Sequence, residues 1–139
     1  ERVLDIGTGS GILAIAALKL GAAKAEGVDI DPMCVRTAGE NAALNGVQND
    51  LTVLVGDLSE KATGVYDVIC ANIVANAIIH LVPDVPALLA KHGTFLASGI
   101  IDTRKDEVIA AVQAAGLALR EVKEKNGWVA LVCGHTGRE

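Results

Sequence analysis

The 139-residue sequence predicts one α/β domain in three layers, with helices on both faces of a mostly parallel seven-stranded sheet. Three observations support this fold class. Short apolar runs alternate with helical stretches, which is typical of parallel strands joined by crossover helices. The length suits a single hydrophobic core. Only Lys125-Asn126-Gly127 separates the last two apolar runs, which predicts an antiparallel C-terminal hairpin with Asn126-Gly127 as its turn.

Local signals place the individual elements. Strands are expected at 3–6, 25–29, 51–55, 65–71, 94–98, 117–124 and 127–133, and helices at 12–20, 32–45, 75–90 and 103–115. The second helix has the clearest start, because Asp31 can cap its N-terminus and Pro32 suits its first turn. Pro83 and Pro86 predict an interruption in the third helix, since proline removes a helical hydrogen bond.

The composition argues against several functional classes. One Phe, one Tyr, one Trp and a net charge of −5 disfavour a direct nucleic-acid partner, because such proteins stack bases on aromatic rings and bind phosphates with basic residues. No apolar run is long enough to span a bilayer, and no signal peptide is recognisable. A cytoplasmic location without a membrane partner is therefore expected.

The three cysteines are an odd number and form no Cys-x-x-Cys pair. Cys34 falls in a predicted helix, and Cys70 and Cys133 fall in apolar strands. We expect them to be small buried hydrophobic residues in a reducing compartment, rather than nucleophiles or metal ligands. No metal site is predicted.

The strongest signal is Asp5-Ile-Gly7-Thr8-Gly9-Ser10-Gly11, between the first strand and the first helix. Alternating glycines allow a sharp turn and a close backbone approach to a ligand. The spacing differs from nicotinamide-binding and phosphate-binding loops, since position 12 is Ile and no Gly-Lys-Ser/Thr follows. The loop suits a nucleoside with an amino-acid tail, whose ammonium Asp5 can bind directly or through water. A tight turn without a ligand is the alternative.

Two further acidic positions follow neighbouring strands. Asp29-Ile30 ends the second strand, where a carboxylate can accept two hydrogen bonds from a ribose diol. Asp31 competes for this role but is assigned to helix capping because Pro32 follows it. Gly56-Asp57 ends the third strand, and Asp57 is a candidate acceptor for an adenine amino group. A solvated turn is the alternative there.

These motifs resemble class I methyltransferases, which use S-adenosylmethionine as methyl donor. Five segments together resemble the family that methylates ribosomal protein eleven of the large subunit: Ile6-Gly-Thr-Gly-Ser-Gly11, Gly27-Val-Asp-Ile-Asp-Pro32, Ala71-Asn72-Ile73, Ser98-Gly99-Ile100 and Gly127-Trp128-Val129. The resemblance implies a three-layer Rossmann-like domain over 1–134, followed by a tail at 135–139. It implies methylation of lysine and N-terminal amines, with a ribosomal protein as partner.

The resemblance also implies a set of donor-binding residues: Asp5, Gly7, Thr8, Gly9, Gly11, Asp29, Ile30, Gly56, Asp57 and Asn72. Asn72 ends the fourth strand and is the catalytic candidate, either orienting the acceptor amine or tying down its own loop. Methyltransferases for adenine or planar amides have prolines and an aromatic residue after this position. The sequence Asn72-Ile-Val-Ala75 lacks them, which favours an sp³ amine.

The family has an N-terminal substrate-recruiting domain, whereas this sequence enters its first strand directly after Glu1. We therefore expect a fragment that holds the donor without methylating its substrate efficiently. Two alternatives stay open: a methyltransferase for a small molecule or RNA, and a donor-binding module without catalysis. Trp128 is expected to pack or cap the final hairpin, and Arg104-Lys105 to form a solvated helix start.

Overall fold

A computed structural model describes residues 1–136 of the chain. Seven strands are present: β1 Arg2–Ile6, β2 Lys24–Asp29, β3 Leu51–Val55, β4 Tyr66–Asn72, β5 Leu89–Ile101, β6 Leu117–Lys125 and β7 Trp128–His135. Five helices connect them: α1 Ile12–Lys19, α2 Pro32–Leu44, α3 Ala75–Leu81, α4 Val85–Leu88 and α5 Lys105–Ala114. This confirms the predicted alternation of strands and helices.

The strands form one sheet in the order β3-β2-β1-β4-β5-β7-β6. Neighbours from β3 to β5 are parallel, and β7 is antiparallel to both β5 and β6. The strand order reverses between β1 and β4, so the carboxyl ends of β1, β2 and β4 meet beside a crevice. This is the position where open α/β sheets bind ligands.

The two faces of the sheet are covered unequally. One face packs against α3, α4 and α5 and contains the larger core, which includes Leu4, Tyr66 and Phe95. On the other face, α1 and α2 pack against β1, β2 and β3 over a smaller core. Within residues 1–136, the part of this second face that lies over β4 and β5 forms an open groove of about 700 Å³. We call this the β4–β5 groove; its lining includes Val68, Cys70 and Leu96. Leu13 of α1 and Leu20, which follows α1, lie at its border.

Several sequence predictions are confirmed at residue level. The Asp31 carboxylate accepts a hydrogen bond from the Met33 N–H at 2.9 Å, which caps α2. Asn126 and Gly127 have φ values of 53° and 83°, as a tight hairpin turn requires. The helical stretch after β4 is interrupted by a 3-10 turn at Val82–Asp84, which contains Pro83.

Strands β5 and β7 both extend beyond their predicted bounds. Strand β5 begins at Leu89 rather than at 94, because Leu89 pairs with Tyr66 of β4; an irregularity separates this pair from the next, Val68 with Thr94. Strand β7 continues to His135, where we had predicted the start of a tail. The His135 ring hydrogen-bonds the Leu89 carbonyl at 2.8 Å, which holds this residue against the sheet. Thr136 follows in a turn, and positions 137–139 of that predicted tail lie outside the described residues.

Among the helices of residues 1–136, none combines the length and the apolar character needed to cross a membrane.

Candidate functional site

The glycine loop after β1 is bound to the end of β2. The N–H groups of Gly7 and Thr8 both donate to the Val28 carbonyl, at 2.8 and 3.0 Å. Gly7, Gly9 and Gly11 all have positive φ, between 57° and 86°. Residues with a Cβ rarely adopt this conformation, so the spacing of the glycines follows from the backbone path itself.

Two of these glycines have different surroundings. A Cβ at Gly7 would lie 2.6 Å from Cγ2 of Ile73, so the loop packs tightly against the segment after β4. A Cβ at Gly9 would have no atom within 4 Å, so the middle of the loop borders open space. The loop thus combines a close internal contact with room for a ligand.

Asp29 faces the glycine loop from the neighbouring strand. Its Oδ2 accepts from the Gly9 N–H at 3.0 Å, and its Oδ1 accepts from the Asp31 N–H at 3.0 Å. Each carboxylate oxygen can accept more than one hydrogen bond, so acceptor capacity remains for ribose hydroxyls. Asp29 therefore lies beside the glycine loop, as predicted. Asp31 contributes only its backbone N–H to these hydrogen bonds.

Asp5 lies beneath the loop and is buried, with 1% of its surface exposed. Its Oδ2 accepts from the Thr8 hydroxyl at 2.8 Å, while its Oδ1 has no hydrogen-bond partner. Burial raises the pKa of Asp5 to about 6, although the hydrogen bond from the Thr8 hydroxyl acts in the opposite direction. An unpartnered buried carboxylate oxygen is costly, so Asp5 is a candidate to contact a polar or cationic group.

A pocket of about 400 Å³ opens at this edge of the sheet. Its lining includes five of the sequence-predicted residues: Gly7, Asp29, Ile30, Gly56 and Asp57. It also includes residues that sequence reasoning missed: Leu58, Ile73, Val74 and Ala77. Ile73, Val74 and Ala77 follow β4. Their closeness to Asn72 along the chain is the only feature of the sequence that could have indicated them. We call this cavity the donor pocket, after the methyl donor that the sequence resemblance implies.

Asp57 and Leu58 form the wall of the donor pocket that follows β3. The Asp57 N–H donates to the Glu60 carboxylate at 3.0 Å, whereas the Asp57 side chain is exposed. Leu58 has a φ of 49°, an uncommon conformation for a residue with a Cβ. Such backbone strain persists where the surrounding structure enforces it, and it occurs at ligand sites.

Asn72 does not line the donor pocket. It ends β4 with an exposed side chain, and a Cβ at Gly99 would lie 2.6 Å from its Oδ1. The same Cβ would lie 3.2 Å from the Ile73 carbonyl oxygen. Gly99, whose φ is 78°, therefore permits the close approach of β5 to the Asn72-Ile73 segment. Sequence reasoning gave Gly99 no role of its own.

A second pocket of about 260 Å³ adjoins the donor pocket, and Val74 lines both. Its other lining residues include Asn76, Gly99, Arg104 and Trp128. Trp128 pairs within the hairpin opposite Lys125, but its surface is 56% exposed, so it forms part of this pocket rather than packing into the core. We call this second cavity the adjoining pocket.

The cysteines have no activated thiol. Burial raises the pKa values of Cys70 and Cys133 to about 11, which keeps both thiols protonated at neutral pH. The pKa of Cys34 is also raised, by desolvation and by the nearby Asp29 and Asp31 carboxylates. No cluster of three His, Cys, Asp or Glu side chains that could hold a metal ion occurs within residues 1–136.

Solved structures define the class of protein. A TehB-like S-adenosylmethionine-dependent methyltransferase from Corynebacterium glutamicum shares the fold with a TM-score of 0.77 at 17% identity, over 97% of this chain and 80% of its own. A ribosomal protein L11 methylase from Lactobacillus delbrueckii subsp. bulgaricus has a TM-score of 0.93 at 34% identity, over 96% of this chain and 69% of its own. The sheet order, the glycine loop after β1 and the acid that ends β2 define a class I methyltransferase fold.

Curated relatives narrow the class further. The ribosomal protein L11 methyltransferases of Symbiobacterium thermophilum and Pelotomaculum thermopropionicum are 48% and 46% identical to this chain, over 95% and 93% of its length. The family model for ribosomal protein L11 methyltransferase matches residues 1–136. The chain belongs to this family. It spans 43% and 42% of those two relatives, less than half the length of each.

Proposed function

We propose that this chain is the donor-binding and catalytic part of an S-adenosylmethionine-dependent N-methyltransferase that acts on lysine and N-terminal amines of ribosomal protein L11. The observation that carries this proposal is the family match over 1–136, together with the junction of Asp29 and the glycine loop at the donor pocket. Action on a ribosomal protein would place the enzyme in the cytoplasm.

The residues present fit S-adenosylmethionine. Asp29 has free acceptor capacity for the ribose diol, and Asp57 is available to the adenine amino group. The unpartnered Oδ1 of Asp5 suits the ammonium of the amino-acid tail, through water because the carboxylate is buried. Apolar side chains of Ile30 and Ile73 offer contacts to a flat ring. When bound, the donor supplies a methyl group activated by its sulfonium.

The adjoining pocket suits an alkylamine acceptor. Only a neutral amine can attack, and from a lysine pKa of about 10.4 its deprotonation at neutral pH costs about 4–5 kcal/mol. The apolar walls formed by Val74, Ile101 and Trp128 lower this cost by desolvating the charged form. Asn72 is not among the lining residues of this pocket, but its Oδ1 lies against Gly99, which is; from there its amide oxygen would orient the amine. The protein contributes mainly positioning, since methyl transfer is a direct displacement.

The decisive experiment measures methyl incorporation into purified ribosomal protein L11 by this chain and by the full-length relative from Symbiobacterium thermophilum. Binding of S-adenosylhomocysteine, the demethylated donor, is measured in parallel by calorimetry. We expect this chain to bind the product and to methylate L11 far more slowly than the relative does. Residues of the relative outside the 43% that this chain matches can contact the acceptor and raise its effective molarity, which is worth several kcal/mol of barrier.

A second candidate is a donor-binding module without catalysis, because Asn72, the catalytic candidate, lines neither pocket. Product binding with no detectable methylation of L11 at long reaction times would support this candidate. No product binding by the folded chain would refute both functions.

A further inference from the structure

Arg104 connects two helices beside the adjoining pocket. It lies in the 3-10 turn Asp102–Arg104 between β5 and α5. Its Nε and Nη2 donate to the two carboxylate oxygens of Glu107 at 2.6 and 2.9 Å, and Nη2 also donates to Oδ1 of Asn76 at 2.6 Å. One side chain thus links the first turn of α5 to the first turn of α3.

The residues around Asn76 form the wall between the two pockets. Val74 lines both pockets, Ala77 lines the donor pocket, and Asn76 lines the adjoining pocket. Val74 precedes α3 and provides no side-chain cap. Ala75 and Ile78 pack the buried side of α3 into the core. On its exposed side, the hydrogen bond from Arg104 to Asn76 holds the first turn.

The turn that carries Arg104 is itself anchored. The Asp102 N–H donates to the Gly127 carbonyl at 2.9 Å, which joins the turn to the β6–β7 hairpin. Glu107 holds the guanidinium in a bidentate geometry that restricts its orientation. Arg104 is therefore held from the α5 side, and its bond to Asn76 extends this support to the start of α3.

We propose that Arg104 is a positioning residue of the methyl-transfer site, which through Asn76 holds the Asn72–Ala77 segment between the donor pocket and the adjoining pocket. The proposal rests on the proposed function of these pockets. It replaces the sequence interpretation of Arg104 as a solvated helix start. The planar guanidinium fork can bind Glu107 and Asn76 together, which the single ammonium of lysine cannot do equally well.

The first test is the affinity for S-adenosylhomocysteine, measured by calorimetry. Arg104→Gln should weaken binding about three- to ten-fold, the range typical of a residue that acts on a site through another group. Arg104→Lys should recover part of this loss, because the ammonium can still bind Asn76. Arg36→Gln is the matched control, since Arg36 pairs with Glu40 on the exposed face of α2 and lines neither pocket.

Amide hydrogen exchange of residues 72–78 is the second readout and needs no donor. Exchange in this segment should be faster in Arg104→Gln than in wild type, while segments far from the turn keep their rates. If Arg104→Gln binds the product as tightly as wild type and exchanges at the wild-type rate, the proposal is overturned. The proposal is also overturned if Arg104→Gln and Arg104→Lys weaken product binding equally and circular dichroism shows a loss of folded protein. That result would show a purely structural role.

The two readouts separate this inference from the proposed function. If wild-type protein fails to bind the product, the donor assignment is wrong, and the exchange rates alone decide whether Arg104 holds the segment. If wild type binds the product and Arg104→Gln matches wild type in both affinity and exchange rate, the donor assignment stands. The role of Arg104 is then refuted.

Discussion

Asp29 has two tasks at the scale of a single residue. Its carboxylate accepts from the Gly9 and Asp31 amides, and it is the proposed acceptor for the ribose diol. We expect Asp29→Ala to weaken product binding by about 1.5–3 kcal/mol, through the lost ribose hydrogen bonds. Asp29→Asn should lose less, because its amide oxygen can still accept one of these bonds. Calorimetry on folded protein measures both values.

The control for this prediction is Asp50→Ala. Asp50 forms an exposed ion pair with Lys24 and lines none of the pockets described above. Wild-type affinity in Asp29→Ala would show that the ribose assignment is wrong.

The raised pKa of Asp5 leads to a prediction about how the stability of the protein depends on pH. Its pKa in the folded protein is about 6, against about 3.9 for a free aspartate, so the folded state binds the proton more tightly. The protonated form therefore contributes about 3 kcal/mol to the free energy of unfolding. This contribution is fully present below about pH 4 and is lost as the pH rises through about 6. Asp5→Asn cannot ionise. Relative to wild type, its free energy of unfolding should therefore rise between pH 4.5 and 7.5.

Urea denaturation at both pH values measures this difference, with Asp57→Asn as an exposed control. A difference between Asp5→Asn and wild type that stays constant across this range would contradict the assignment. The ionised form has a use in the proposed function, because the ammonium of a bound donor would stabilise it.

At the scale of the element, the start of α2 separates a structural aspartate from a binding one. Asp31 caps the helix through the Met33 N–H, and its side chain is exposed. Asp31→Ala should lower the free energy of unfolding by about 1 kcal/mol, since one helical N–H loses its acceptor. The backbone N–H that binds Asp29 is retained, so product affinity should change little. Unchanged stability with lost affinity would mean that the two aspartates have exchanged roles.

Elements whose signals are local could be predicted from the sequence. The glycine loop, the cap at Asp31 and the Asn126-Gly127 turn each depend on a few adjacent residues, and the structure contains all three. The predicted start of β5 was wrong because Leu89 pairs with Tyr66 of β4, whereas the polar, exposed Lys91 and His92 lie between this pair and the next at Thr94. Backbone pairing between distant segments leaves little trace in local hydrophobicity.

The candidate site divides in the same way. Asp29 was predictable because parallel neighbours bring the ends of β1 and β2 together. The contact of Gly99 with Asn72 and the bond from Arg104 to Asn76 join residues 27 and 28 positions apart, and no local pattern marks them. The adjoining pocket depends on both contacts and on the hairpin, so it could be recognised only in three dimensions.

At the scale of the whole molecule, the β4–β5 groove has a consequence for how this protein behaves in solution. An exposed apolar surface of this kind binds hydrophobic fluorescent dyes. We expect dye fluorescence from the folded domain, together with a cooperative unfolding transition and a native near-ultraviolet circular dichroism spectrum. A dye assay alone would then mistake this native protein for a molten globule, which is defined by lost tertiary packing.

Leu20 and Leu44 provide a matched pair to locate that surface. Both are largely exposed, at 88% and 84%, but Leu20 borders the groove whereas Leu44 ends α2 on another part of the surface. Leu20→Gln should reduce dye binding and Leu44→Gln should not, with little loss of stability in either variant. Equal dye binding by wild type and Leu20→Gln would place the dye elsewhere. If the prediction holds, a folding screen that takes dye binding as a sign of unfolding would reject the native state of this domain.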